Sequence, residues 1–87
     1  MPTVLLPRSL VALIPAAPRR CEVDAATVAE AIDRLDVMAP GIRNRLLDAG
    51  PTIRSHINVY VDGTPATLTT PLAPTSTLHV IPAVSGG

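Results

Sequence analysis

The sequence predicts a two-layer α+β domain, and three observations carry that reading. Residues 27–39 repeat their apolar side chains with the 3.6-residue period of a helix. Short apolar or alternating runs, bounded by Pro, Gly and Asp-Gly, lie on both sides of that segment. The chain has 87 residues, enough for one modest core that hides about 60–65% of the surface exposed in the unfolded chain. One amphipathic helix must bury its stripe on one face of a sheet. The expected order is strand, strand, helix, strand, strand.

Each element has a local reason. Thr3-Val4-Leu5-Leu6 is a short apolar run ended by Pro7 and reads as a buried strand. Leu10 to Ile14 suits either a second strand or a helical turn. Pro15-Ala16-Ala17-Pro18 forces a turn or an extended corner, because both prolines fix φ. Arg19 to Val23 alternates weakly and is expected to pair back on the first strand as a hairpin. Thr27-Val28-Ala29-Glu30 is a capping box that opens the helix. Val28, Ala31, Ile32, Leu35 and Ala39 form its apolar face, with Glu30, Asp33 and Arg34 opposite, and Pro40-Gly41 stops it. Ile42 to Leu47 reads as a short helical turn with Ile42 and Leu46 inward, before Gly50-Pro51 breaks the chain again. Ile57 to Val61 is the clearest strand, and Asp62-Gly63 is a strong turn signal. Thr64 to Pro74 is a connection with a short strand expected around Ala66 to Leu68. Thr77 to Ile81 is the last strand, closed by Pro82, and residues 83–87 are expected to be a flexible tail beyond a single domain of residues 1–82.

Composition excludes several function classes. Seven basic and seven acidic residues give a net charge of zero, against the clustered positive charge that phosphate neutralisation requires. Phe and Trp are absent and Tyr60 is the only aromatic residue, so base stacking has no platform. One cysteine excludes an internal disulfide and a Cys-rich metal site. All seven basic residues are arginines, so no side-chain amine is present for amide or Schiff-base chemistry. The apolar run of Met1 to Leu6 is interrupted by Pro7 and Arg8, and neither it nor Leu10 to Ile14 is long enough for a signal peptide. No segment approaches the length of a membrane span. The expectation is a soluble cytoplasmic protein that binds neither nucleic acid nor membrane.

Few residues are placed for chemistry. Cys21 lacks a neighbour that would activate a thiol and reads as a small strand hydrophobe. His56 and His79 lack metal-ligand spacing, so no metal site is expected, and His79 alternates outward between Leu78 and Val80. Asp33 and Asp36 read as a solvated helix face. Arg19-Arg20 and Arg43/Arg45 can meet an acidic partner, although exposure is the ordinary state of arginine. The Gly86-Gly87 ending is the sharpest feature. Glycine has no Cβ, so such an end can thread a narrow channel, and a terminal carboxylate on Gly87 is unhindered. That carboxylate is an anion at neutral pH and becomes an electrophile only after activation, for instance by adenylation on another protein.

Three stretches then carry a resemblance: Gly41 to Asp48, Ile57 to Gly63, and Val80-Ile81-Pro82-Ala83-Val84-Ser85-Gly86-Gly87. Over essentially the whole chain they resemble the MoaD/ThiS family of ubiquitin-like sulfur carriers, most closely its CysO-type branch. The resemblance implies a β-grasp fold, a mixed sheet with one main helix packed across it. It implies a non-enzymatic carrier with no cofactor of its own. A ubiquitin-activating-type partner would spend ATP to adenylate Gly87, and a sulfur donor would convert the acyl adenylate to a thiocarboxylate. A downstream synthase would accept the sulfur, for cysteine, molybdopterin, thiamine or a secondary metabolite. A metalloprotease that trims the C-terminus or releases product also belongs to the implied partners, and the free carrier would be a monomer. Tyr60, Pro82 and Ala83 are the expected partner contacts, with Val84, Ser85 and Gly86 leading Gly87 into the partner's site. The alternative is a ubiquitin-like modifier joined through Gly87 to target lysines. A binding module with an incidental tail is a third reading. The chain departs from the family in one place: Pro15 to Pro18 stand in the first turn, where relatives often carry glycine.

Overall fold

The computed structural model of the chain describes residues 1–82. Its elements are β1 (Thr3–Leu5), α1 (Arg8–Leu13), β2 (Arg20–Glu22), α2 (Val28–Met38), α3 (Ile42–Leu46), β3 (Leu47–Asp48), β4 (Thr52–Ile53), β5 (Ile57–Val61), β6 (Thr64–Pro65) and β7 (Thr77–Pro82). Five strands form one mixed sheet in the order β2-β1-β7-β5-β6, and β3 and β4 form a separate two-stranded ribbon. Within the sheet, β1 and β7 are parallel and every other neighbouring pair is antiparallel. The last strand therefore sits in the centre, with β1 on one side and β5 on the other. This is the β-grasp arrangement.

Hydrophobic burial holds the two layers together. Val28, Ala31, Ile32 and Leu35 of α2 are each 0% exposed. They belong to one core with Val4, Leu78, Val80 and Val59 from the three central strands and with Ile42 and Leu46 from α3. Helix α2 opens as its sequence demands. The Thr27 hydroxyl accepts the Glu30 N–H at 3.2 Å, and the Glu30 carboxylate accepts the Ala26 N–H at 3.0 Å. The carboxylate thus reaches one residue further back than in the usual reciprocal pair. Thr27→Ala removes one partner of this cap and is expected to lower stability by about 1 kcal/mol, read as a lower urea midpoint at unchanged slope.

Of the two conformations open to Leu10 to Ile14, the chain takes the helical turn; the sequence reading needs three corrections elsewhere. The Pro7 carbonyl accepts the N–H groups of Leu10 and Val11, and the segment coils into α1. The β1–β2 connection is therefore a helix and a proline-rich corner. That arrangement accommodates Pro15 to Pro18 and still returns the chain in antiparallel register, Val4 opposite Cys21. The β3–β4 ribbon was not expected, because two-residue strands are too short to show alternation. The short strand beside β5 is Thr64–Pro65, not Ala66 to Leu68. Residues 67–70 leave the sheet because the carbonyls of Leu68 and Thr70 accept the first N–H groups of α2, from Ala29 and Val28, donors that a helix cannot satisfy within itself. Finally, Asp33 and Asp36 are not merely solvated. Asp36 accepts the N–H groups of Gly41 (3.0 Å) and Arg43 (3.1 Å), and Asp33 pairs with Arg43 at 3.2 Å. Together they fix α3 against the end of α2. Gly41 makes the turn between the helices with a φ of +102°, a left-handed conformation that suits glycine.

Candidate functional site at the end of the central strand

The site is built around the end of β7. Its ladder with β5 runs from Val61 opposite Leu78 to Ile57 opposite Pro82. Pairing thus persists through Pro82, although proline has no N–H to donate. Gly87, Gly86, Ser85, Val84 and Ala83, the residues expected to carry the chemistry and part of the partner contact, lie outside the described residues. So does the expectation that they are flexible.

Strand register defines the sheet face turned away from α2. Side chains alternate along each strand, and Val4, Leu78, Val80 and Val59 are buried beneath α2. Their neighbours Leu5, His79, Ile81, Asn58 and Tyr60 consequently share the opposite face. One row of that face crosses all five strands: Arg20, Leu5, His79, Tyr60 and Pro65. Tyr60 is half-buried within this row, between His79 and Pro65. Its outward placement agrees with the alternation of the sequence. The partnership with Leu5 and His79 was not legible, because it depends on long-range register. The turn after β5 is set by Asp62 and Gly63, with φ of 51° and 85°. Asp62 also accepts the N–H of Thr77 at 2.9 Å, which pins the start of β7.

The remaining candidates do not converge on a catalytic arrangement. Cys21 lies opposite Val4 in β2 and packs against the core. Burial pushes its thiol above the ordinary cysteine value, because the thiolate would lose solvation. Cys21→Ser is expected to leave intact the sulfur loading that the family resemblance implies. Alkylation of Cys21 is expected to be slower at pH 8 than that of an exposed thiol, and to keep accelerating above the usual cysteine range. His56 and His79 are exposed on separate elements. Among the described residues, no cluster of three or more His, Cys, Asp or Glu side chains could hold a metal ion. An open groove of about 530 Å³ runs between β4, β5 and residues 65–69, with Arg54 as its one charged lining residue. No helix of the described residues is long and apolar enough to cross a membrane.

The sequence model of the ThiS family matches residues 12–87, which includes the whole β5–β7 ladder. The chain belongs to the ThiS family. Solved structures agree with this ThiS-family assignment. One chain of the Amycolatopsis orientalis BexX/CysO complex is 31% identical, with a TM-score of 0.88 and 100% of both chains covered. SAMP1 from Haloferax volcanii is 32% identical, with a TM-score of 0.77 and 99% and 98% of the two chains covered. Mycobacterium tuberculosis CysO, described as an antigen, shares the fold with a TM-score of 0.85 at 23% identity, covering 97% of this chain and 100% of its own. No curated protein matches the chain. The chain is thus a ubiquitin-like β-grasp protein of the sulfur carrier and modifier family, similar to CysO and SAMP1. Proteins of this family are small non-catalytic carriers, and this one is not an enzyme. The family works with activating enzymes and sulfur-accepting partners.

Proposed function

We propose that this ThiS-family protein is a sulfur carrier whose reactive group is the carboxylate of Gly87. Residues 1–82 are the folded body and residues 83–87 the segment that delivers the carboxylate. The observation that carries this reading is the family match extending through the Pro82-Ala83-Val84-Ser85-Gly86-Gly87 ending. The carboxylate attacks the α-phosphorus of ATP on a ubiquitin-activating-type enzyme, and pyrophosphate leaves. A sulfur donor at the sulfide level then adds to the acyl carbon, and AMP leaves, giving a thiocarboxylate. The carrier needs no cofactor of its own, because ATP and the donor are used on the activating partner. A synthase in turn receives the sulfur, and a metalloprotease suits the trimming or product-release step. Tyr60 and Pro82 on the body, with Ala83, are the contacts these partners would read, since tyrosine joins apolar area to a polar tip. The setting is the cytoplasm, where ATP is available.

A second reading has an observation of its own. One similar structure, 29% identical with a TM-score of 0.76, is described as the H. volcanii small archaeal modifier protein 1. A modifier would form an isopeptide between Gly87 and a target lysine. Peptide sequencing of proteins from the native host separates the two readings. No arginine or lysine follows Arg54, so trypsin would leave residues 55–87 as the branch. A carrier leaves no such branch on host lysines, whereas a modifier does.

A further inference from the structure

The net charge of zero conceals a separation of charge along the domain. Strands β1 and β7 run one way, and β2 and β5 run the other. One end of the sheet therefore gathers Pro7-Arg8 after β1, Arg19-Arg20 at the start of β2, His56 before β5, and Pro82. Arg19, Arg20 and His79 line one hollow together with Pro82. Arg45, Arg54 and His56 line another, and His56 precedes the residue that pairs with Pro82. The opposite end gathers carboxylates. Asp62 follows β5, Glu22 ends β2 opposite Thr3, and Asp24 precedes α2. Glu30 lies in the first turn of α2.

The two signs differ in degree of employment: five of the seven carboxylates, all but Glu22 and Asp24, have side-chain partners among the described residues, against three of the seven arginines, Arg34, Arg43 and Arg54. Glu30 caps α2, Asp62 holds Thr77, Asp36 holds α3, and Asp33 and Asp48 are ion-paired to Arg43 and Arg54. By contrast, Arg19, Arg20 and Arg45 are exposed and make no side-chain hydrogen bond or ion pair among the described residues. Fold stability gives no reason for arginines at these positions. Long-range attraction does, because charges of one sign at the rim of a contact steer approach and orient it.

We propose that the end of the domain around Pro82 is an electrostatic docking face for a protein partner with a carboxylate-rich rim around its channel. Arg19, Arg20 and Arg45 are its principal contacts. This rests on the reading that Gly87 enters a partner's active site. The positive end of the body meets the rim while the chain beyond Pro82 enters the channel, so attraction and insertion share one axis.

The test is ATP–pyrophosphate exchange by the adenylating enzyme purified from the native host, with the carrier as varied substrate. The double variant R19E/R20E is expected to raise the KM for the carrier about tenfold at low salt, with kcat within about twofold. The gap should narrow as NaCl screens the contact. R19K/R20K should restore KM, and R45E should raise it separately, which keeps the test valid should the double variant fold poorly. Unchanged KM for R19E/R20E and R45E, both with wild-type circular dichroism, overturns the docking face. Unchanged KM together with retention of the wild type, but not R19E/R20E, on a single-stranded oligonucleotide also overturns it, and assigns the arginines to nucleic acid. Deletion of Gly86-Gly87 separates this proposal from the reading beneath it. Exchange that survives the deletion rejects carboxylate activation itself. Exchange lost on deletion but indifferent to the arginine variants rejects only the docking face.

Discussion

A single alanine added after Gly87 is expected to abolish ATP–pyrophosphate exchange. The added residue moves the only useful carboxylate one position along the chain. It also places a methyl group where two glycines would let the backbone approach a narrow channel closely. The body cannot follow the carboxylate inward, because β7 is held on both sides as the central strand of the sheet. Five residues fully extended span at most about 17 Å, which caps the reach from Pro82 to the reacting carbon. Deleting Gly87 shortens that reach and is expected to be equally severe. The loss should appear in exchange rate while the thermal transition of the body stays unchanged. Full exchange by the extended chain, with trimming excluded by mass, would place the activated group elsewhere.

Leu35→Ala is expected to produce the largest loss of stability. Leu35 is 0% exposed on the face of α2 that covers the sheet, and alanine is the best helix former. The substitution therefore spares the helix backbone and isolates the packing cost. Removing a buried leucine to its Cβ costs about 2–5 kcal/mol, depending on how far the cavity collapses. Domains of this size hold about 4–13 kcal/mol in total, so a large share of the margin disappears. Urea unfolding should show a lower midpoint at unchanged slope. Sulfur loading measured well below the transition should be unaffected, because Leu35 lies in the core on the α2 side of the sheet, opposite the face that carries Tyr60.

The elements whose signals are local were legible in the sequence. The α2 stripe, its Thr27 cap, the Ile42 turn, β5 and the Asp62-Gly63 turn were each specified by neighbours within a few residues. What was not legible was decided by contacts distant in sequence or by a choice that the side chains leave open. Residues 67–70 have β-compatible side chains, but the carbonyls of Leu68 and Thr70 are drawn to the first turn of α2. Leu10 to Ile14 is equally apolar as strand or helix, and the Pro7 carbonyl decides for the helix. The outward row of Arg20, Leu5, His79, Tyr60 and Pro65 exists only through the register of five strands. Gly87 was singled out by the Gly-Gly ending together with the family resemblance, and it lies outside the described residues. The Arg19-Arg20 pair was legible, but the polarity of the charges was not, since the end of the sheet at which Arg19, Arg20 and His56 meet Pro82 depends on the direction in which β2, β5 and β7 run.

Intact-mass analysis of the protein isolated from its native host, under conditions that preserve acyl sulfur, addresses the carrier function most directly. The expected result is a population in which one oxygen is replaced by sulfur, with fragment ions locating the change at Gly87 and its loss on incubation with the purified acceptor enzyme. A free Gly87 carboxylate in every molecule, with the activating enzyme and sulfur donor present and active, would contradict the assignment of this chain as a sulfur carrier.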